Sequence, residues 1–337
     1  MYEAAFGLTK KPFGMTPDPA ALYLTPAHRE ALTGLAYGVM RRKGCIVLIG
    51  DAGTGKTTLL RKLLLTLPTP SVESSVLISP TLTPSEFLEM VLEDFKIGGV
   101  PSSKAQRLLR MRDFLADVHR AGKVAVLIVD EAHKLGPDVL EEVRLLTNFE
   151  TNEDKLLQIV LAGQTELGDL LNRQELRQLK QRVAVRLEIG PLSHADLAQY
   201  LQFRWQVAGG TAPLPFSAEA IRAVGLWSRG IPRLVNAICD NALLLACGDG
   251  LKVIGGAHID EVARDFQLAG DAPPLPERRN LPAAVAPEPA YAAVGSAEHR
   301  ETARAPEWSP GALPILERYA TEQSRSLLGR WAARFGL

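Results

Sequence analysis

Cysteine is scarce in this chain: Cys45, Cys239 and Cys247 are the only three in 337 residues. None sits in a CxxC pair or at ligand spacing from a histidine, so neither a disulfide framework nor a structural zinc is expected, and the redox setting is a reducing one. An excess of charge of one sign is also missing. Lys and Arg together number 38, as do Asp and Glu, which removes the general basic field of a nonspecific nucleic-acid or anionic-membrane binder. Long apolar runs are lacking too. The longest aliphatic stretch, Val124 to Val129, falls far short of the roughly 18 residues that span a bilayer. The N-terminal MYEAAFGLTKKPF has no signal-type apolar core. A cytoplasmic chain, neither exported nor membrane-spanning, is the expectation. What is present is a 46% apolar content, enough to build the core of one large or two modest domains.

Five short runs, Cys45 to Ile49, Ser75 to Ile78, Val124 to Val129, Leu157 to Ala162 and Val183 to Ile189, are aliphatic or β-branched and, except for the last, lack polar alternation. Such runs, alternating with helical segments, predict a parallel five-stranded sheet covered on both faces, a three-layer α/β fold. Helix starts are legible at Thr83-Pro84-Ser85-Glu86 and at Ser193 with Asp196. Beyond Pro191 the strands stop and three or four helices follow. The expected division is therefore an N-terminal segment with the sheet domain over 1–191 and an all-helical domain over 192–270. A linker over 271–312 follows, with eight prolines between 271 and 310, and then an amphipathic helix over 313–337.

Gly50-Asp51-Ala52-Gly53-Thr54-Gly55-Lys56-Thr57 fits the G-x-x-x-x-G-K-[ST] phosphate loop, directly after one expected strand and ahead of the helical stretch from Thr58 to Leu67. Glycines let backbone N–H groups turn inward around the β-phosphate, Lys56 meets the β/γ oxygens, and the helix N-terminus faces the anion. The Thr57 hydroxyl is a candidate Mg²⁺ ligand. A second element, Val126 to Glu131, is a buried strand ending in two carboxylates. There Asp130 can hold the Mg²⁺ shell and Glu131 can orient or deprotonate the attacking water. Together they predict a Mg²⁺-dependent NTP-hydrolysing domain.

Gln164 follows another expected strand and stands beside Asp130 if the two strands are neighbours, where its amide can meet the γ-phosphate or the lytic water. Arg177, Lys180, Arg182 and Arg186 cluster before and within the last strand, either as a solvated basic face or as a source of a guanidinium for a neighbouring subunit's γ-phosphate. Arg229-Gly230-Ile231-Pro232-Arg233 leads into a long helix, with Arg233 on its first turn.

In the order and context of these motifs the chain resembles the AAA+ ATPases. Within them it looks most like the ExeA-type general secretion pathway protein A family, through Tyr2-Glu3, Phe6-Gly7-Leu8, Lys11-Pro12-Phe13, Pro17-Asp18-Pro19, Tyr23-Leu24, His28 to Leu32 and Gly163-Gln164-x-Glu166-Leu167. The resemblance covers about residues 1–268. It implies ATP and Mg²⁺ as ligands, a helical lid after the sheet domain, and a ring-type homo-oligomer. It also implies Gln164 as first sensor, Arg182 as the trans arginine finger with Arg177 as second choice, and Arg233 as second sensor. The Thr58 end of the loop would lie on nucleotide, and the stretch from Tyr23 to His28 would wall the adenine.

Family members commonly continue into a membrane span and a peptidoglycan-binding domain, and neither is found in this sequence. Beside a monomeric signalling switch, two roles lead: a motor or switch that assembles envelope or secretion components, and a DNA-bound adaptor of the TniB transposition type. For the second, Lys104, Arg107, Arg110 and Arg112 offer a basic helix, although at helical spacing they spread over more than one face; salt-dependent retention of duplex DNA separates the two. Asp130-Glu131-Ala132-His133 is also the DEAH tetrapeptide of helicases, which require two ATPase lobes where one fits here. The C-terminal segment sets Leu316, Leu327, Trp331 and Phe335 beside four arginines. It is expected to tether the protein to a membrane surface, at the inner membrane, or to a membrane partner, which co-sedimentation with anionic vesicles and with membrane extracts checks against a chain ending at Asp271.

Overall fold

The computed structural model describes residues 2–78, 82–99 and 101–268. The expected linker and C-terminal helix lie outside them. Five strands, β1 (Cys45–Ile49), β2 (Val72–Ile78), β3 (Val124–Asp130), β4 (Leu157–Gly163) and β5 (Val183–Glu188), form one sheet in the order β2-β3-β4-β1-β5. Every neighbouring pair is parallel. The central strands β1, β3 and β4 are buried along their whole length, as continuous apolar runs require when both faces of a sheet are covered. At the edge, β5 alternates buried with exposed residues, so its mixed pattern reflects its position.

Among the described residues twelve α-helices accompany the sheet: α1 (Tyr2–Ala5), α2 (Pro26–Met40), α3 (Lys56–Thr66), α4 (Pro84–Asp94), α5 (Lys104–Arg120), α6 (Pro137–Leu146), α7 (Thr165–Leu171), α8 (Arg177–Arg182), α9 (His194–Val207), α10 (Ala218–Ser228), α11 (Pro232–Gly248) and α12 (Gly256–Asp265). Side chains from α4 to α8 pack with Val47, Leu127, Ile159 and their alternates in one core. Helix α2 contacts β1, β3, β4 and β5, and Gly38 on α2 lies against Ile46, a residue of the alternate set. The helix starts use the signals in the sequence. Thr83 and Glu86 form a reciprocal capping box on α4, and the Ser193 hydroxyl accepts the Asp196 N–H at the start of α9.

Helices α9 to α12 build a second core around Leu201, Trp205, Val235 and Leu243. The N-terminal segment, grouped by the sequence with the sheet, packs here instead: Tyr2, Leu8 and Phe13 are buried in this second core. Phe6 stands edge-on to Trp205 and Phe13 edge-on to Phe216, the Tyr2 hydroxyl bonds Asp240, and Thr9 bonds the Ala208 carbonyl. Its apolar spacing announces burial but cannot name the partner. Among the described residues no helix is long and apolar enough to cross a membrane.

Candidate functional site

Because all strands run one way, the chain segments leaving β1, β3 and β4 emerge at one edge of the sheet. The order β3-β4-β1 sets them side by side, the usual place for a ligand in an open α/β sheet. Gly50 to Gly55, Asp130-Glu131 and Gln164 leave those three strands. The condition set on Gln164, that its strand neighbour Asp130's, is met.

The loop takes the form its glycines permit. Gly53 and Gly55 have φ of 79° and 103°, where a side chain is strained. A Cβ on Gly53 would also come within 2.8 Å of the Arg233 Cβ. Gly55 caps α3, whose first turn carries Lys56, Thr57 and Thr58, so free N–H groups and a helix dipole face the loop. The Lys56 ammonium lies inside, bonded to the carbonyls of Gly50 at 2.7 Å and Asp51 at 2.9 Å. Burial lowers its pKa, opposed by Glu131, Asp130 and Asp51 and reinforced by Arg233. A phosphate would add negative charge to that of these carboxylates and further favour the ammonium form.

Thr57 donates its hydroxyl to Asp130 Oδ2 at 2.5 Å, and the other oxygen of Asp130 accepts the Glu131 N–H at 2.9 Å. The residues singled out at two distant points of the chain thus meet. Glu131 takes a left-handed backbone, φ 56° and ψ 32°, uncommon outside glycine and often found where function demands it. Its carboxylate is 3.2 Å from the Lys134 ammonium.

One cleft is lined by Ala52 to Thr58, Glu131, Gln164, Arg233, Tyr23 and His28. Arg233 enters on the first turn of α11, and its backbone N–H reaches the Gly53 carbonyl at 3.3 Å. Tyr23 bonds Gln199 at 2.7 Å and stands edge-on to Tyr200. His28 uses both ring nitrogens within the protein, Nδ1 with the Thr25 hydroxyl at 2.7 Å and Nε2 with the Thr54 carbonyl at 3.0 Å. It braces the phosphate loop from α2. Burial lowers its pKa, opposed by the bond to Thr54 and by Asp196.

Arg182 is not in the cleft. It is exposed at the end of α8, just before Val183, which pairs with Cys45 at the start of β1. It therefore lies at the sheet edge opposite the loop, about 16 Å away by strand length. Its charge acts on Glu150, which bonds Lys155. Arg177 is also exposed. Of the basic helix, Arg107 is no surface charge at all: it is buried, bonding Pro101 and Ser85 carbonyls, the Ser85 hydroxyl and Glu89. Lys104 pairs with Glu142 and Arg112 with Asp113.

Sequence reasoning missed Gly14 to Asp18 and the lid residues Tyr200, Arg204 and Asn236, which also line the cleft. Arg204 bonds the carbonyls of Pro12 and Gly14, and buried Tyr200 donates to Asn236 at 2.6 Å. The i, i+4 spacing of Tyr200 and Arg204 was the available signal, and it says nothing of which domain they face.

Residues 39–171 match the AAA domain family. General secretion pathway protein A of Aeromonas hydrophila is 44% identical over 271 residues, covering 80% of this chain and 49% of that protein, so the chain spans about half the length of that relative. Among solved structures, Cdc6p of Pyrobaculum aerophilum superposes with a TM-score of 0.58 at 17% identity, covering 77% of this chain and 71% of that one. Drosophila ORC bound to DNA gives 0.57 at 21%, with 77% and 67% covered. At such identities these two speak for the fold. Fold, loop and family match define a AAA+ P-loop NTPase of the ATPase type, a parallel sheet domain followed by a helical lid. Within that class the chain resembles the ExeA-type general secretion pathway protein A family.

Proposed function

We propose that the protein binds ATP with Mg²⁺ and hydrolyses it, and that turnover drives an oligomeric motor or switch in secretion or envelope-complex assembly. The observation carrying this is the meeting of the Thr57 hydroxyl with the Asp130 carboxylate beside a buried Lys56 and an adjacent Glu131. Two hard oxygen donors at the end of a phosphate loop suit Mg²⁺, which usually takes one or two protein oxygens and completes its shell with water and phosphate. Among the described residues no larger cluster of His, Cys, Asp and Glu suited to a metal occurs. Thr57 and Asp130 would hold the ion, whose chemistry is to neutralise charge on the β- and γ-phosphates.

The chain's own groups do the rest. Loop N–H groups and Lys56 bind the phosphates, Glu131 takes the proton of the attacking water, and Gln164 and Arg233 contact the γ-phosphate from the sheet and the lid. Arg182, directed away from its own cleft, serves that of a neighbouring subunit. The secretion setting rests on the 44% identity to general secretion pathway protein A. For a DNA adaptor, the basic helix considered above has Arg107 buried and Lys104 and Arg112 paired.

Lys56→Ala and Glu131→Gln separate the roles. The first should abolish nucleotide binding, because a buried cation facing phosphate is lost. The second should retain ATP and stop turnover, because only the group acting on water is changed. Binding of a fluorescent ATP analogue and phosphate release, measured on both variants, check this; loss of ATP binding in both removes Glu131 from the water.

A further inference from the structure

His133 sits in the short turn Ala132–Lys134 that follows Glu131, with its side chain 11% exposed. Both ring nitrogens face Gln164. The Gln164 backbone N–H donates to Nδ1 at 3.3 Å, and Nε2 lies 3.2 Å from the Gln164 side-chain amide. The Glu131 carboxylate is 3.7 Å from the same Nε2, beyond hydrogen-bond range, so Gln164 is the partner.

An Nδ1 that accepts a hydrogen bond carries no proton, and a neutral ring then holds its proton on Nε2. That N–H can bond the Gln164 amide only through the amide oxygen, since NH₂ is itself a donor. The amide atom set 3.2 Å from Nε2 is the nitrogen, a donor against a donor; the two ends of a glutamine amide are assigned by their partners, so the amide is turned about and the ring takes the oxygen. The NH₂ is left for the cleft that Gln164 lines. The surface it meets there, a γ-phosphate, offers acceptors only. An amide turned the other way would set its oxygen against phosphate oxygen and repel it.

We infer that His133 is a positioning residue for the proposed hydrolysis, orienting the Gln164 amide so that a donor faces the γ-phosphate. The inference rests on the reading of the cleft as an ATP-hydrolysing site. A purely structural role would use Nδ1 alone, holding the junction of β4 and α7 through the Gln164 N–H. Two substitutions divide the ring's functions. His133→Asn can keep an acceptor near Nδ1 but has nothing at Nε2, whereas His133→Gln places an amide N–H where Nε2 lies and loses the Nδ1 acceptor.

The test measures kcat, the KM for ATP and thermal unfolding on the full chain and both variants. In His133→Asn, kcat should fall by about 10²-fold, the scale of a misplaced catalytic group, with KM changed by no more than about threefold, since loss confined to the transition state leaves substrate binding intact. His133→Gln should recover most of the wild-type kcat. Wild-type kcat in the Asn variant, or equal loss in the two variants, overturns the positioning role. A wild-type chain that binds ATP without hydrolysing it overturns the hydrolysis reading, and this inference with it.

Discussion

His28 carries two hydrogen bonds in a buried position, one into the turn that starts α2 and one onto the phosphate loop at Thr54. Burial favours the neutral imidazole, so its folded pKa lies below the unfolded one. As pH drops below about 6.5, the unfolded chain takes up a proton that the folded chain resists, and the stabilisation from His28 is lost as pH falls through the folded value. Replacing His28 with Gln keeps a side-chain N–H for the Thr54 carbonyl and removes the titration. The variant should therefore lose less stability than wild type between pH 7.5 and 5.5. Urea midpoints at the two values measure it, and equal shifts in both proteins would show that His28 does not carry the acid sensitivity. Glu131 is the other residue whose backbone matters: its left-handed conformation turns the chain straight out of β3 into the turn bearing His133, so one strained residue aims two side chains.

Among the elements, α5 departs furthest from its appearance in the sequence. Four basic side chains within nine residues suggest a surface for an anion, yet Arg107 is turned inward and ties α5 to α4 and to the Pro101 carbonyl. Its partner Glu89 is 46% exposed, so the ion pair itself contributes little; the carbonyls of Pro101 and Ser85 matter more, because they would be left without a donor. Arg107→Ala should lower the unfolding free energy by about 2 kcal/mol, the scale of a lost charged hydrogen-bond set. Chemical denaturation checks it, and a change within error would mean water replaces the guanidinium. Helix α11 has a comparable role at the lid. Its first turn presses on Gly53, where no Cβ fits, so lid and phosphate loop share a backbone contact.

On the scale of the whole molecule, the sheet separates the cleft from Arg182 by the length of β1 and β5. In the proposed function the guanidinium at the far edge acts on the nucleotide of a second copy, because the strand length keeps it from its own cleft. Arg182→Ala should leave ATP affinity nearly unchanged and reduce turnover by about 10³-fold, as expected for an arginine finger. Mixing the Arg182→Ala chain with the Glu131→Gln chain should restore part of the activity, because some interfaces then pair an intact Glu131 with an intact Arg182. Absence of recovery at every ratio, with mixed assemblies verified by size and label, places the arginine's action within one subunit.

Strand identity, the phosphate loop and the carboxylate pair were readable from the residues, because each depends on local rules: continuous apolar runs for buried strands, a fixed glycine and lysine spacing for a phosphate turn, two adjacent carboxylates closing an apolar run. Which strands are neighbours was not. That Gln164 stands beside Asp130 and that Arg182 stands apart follow from the order β2-β3-β4-β1-β5, set by packing between segments far apart in sequence. The same limit applies to the N-terminal segment, whose Phe6 and Phe13 could cover any apolar surface and chose the lid, and to Arg107, whose charge does not reveal the two backbone carbonyls it bonds. Residue type determines what a side chain can do, and only the tertiary arrangement decides which partners it does it with, because burial and hydrogen bonding are satisfied across the fold and not along the chain.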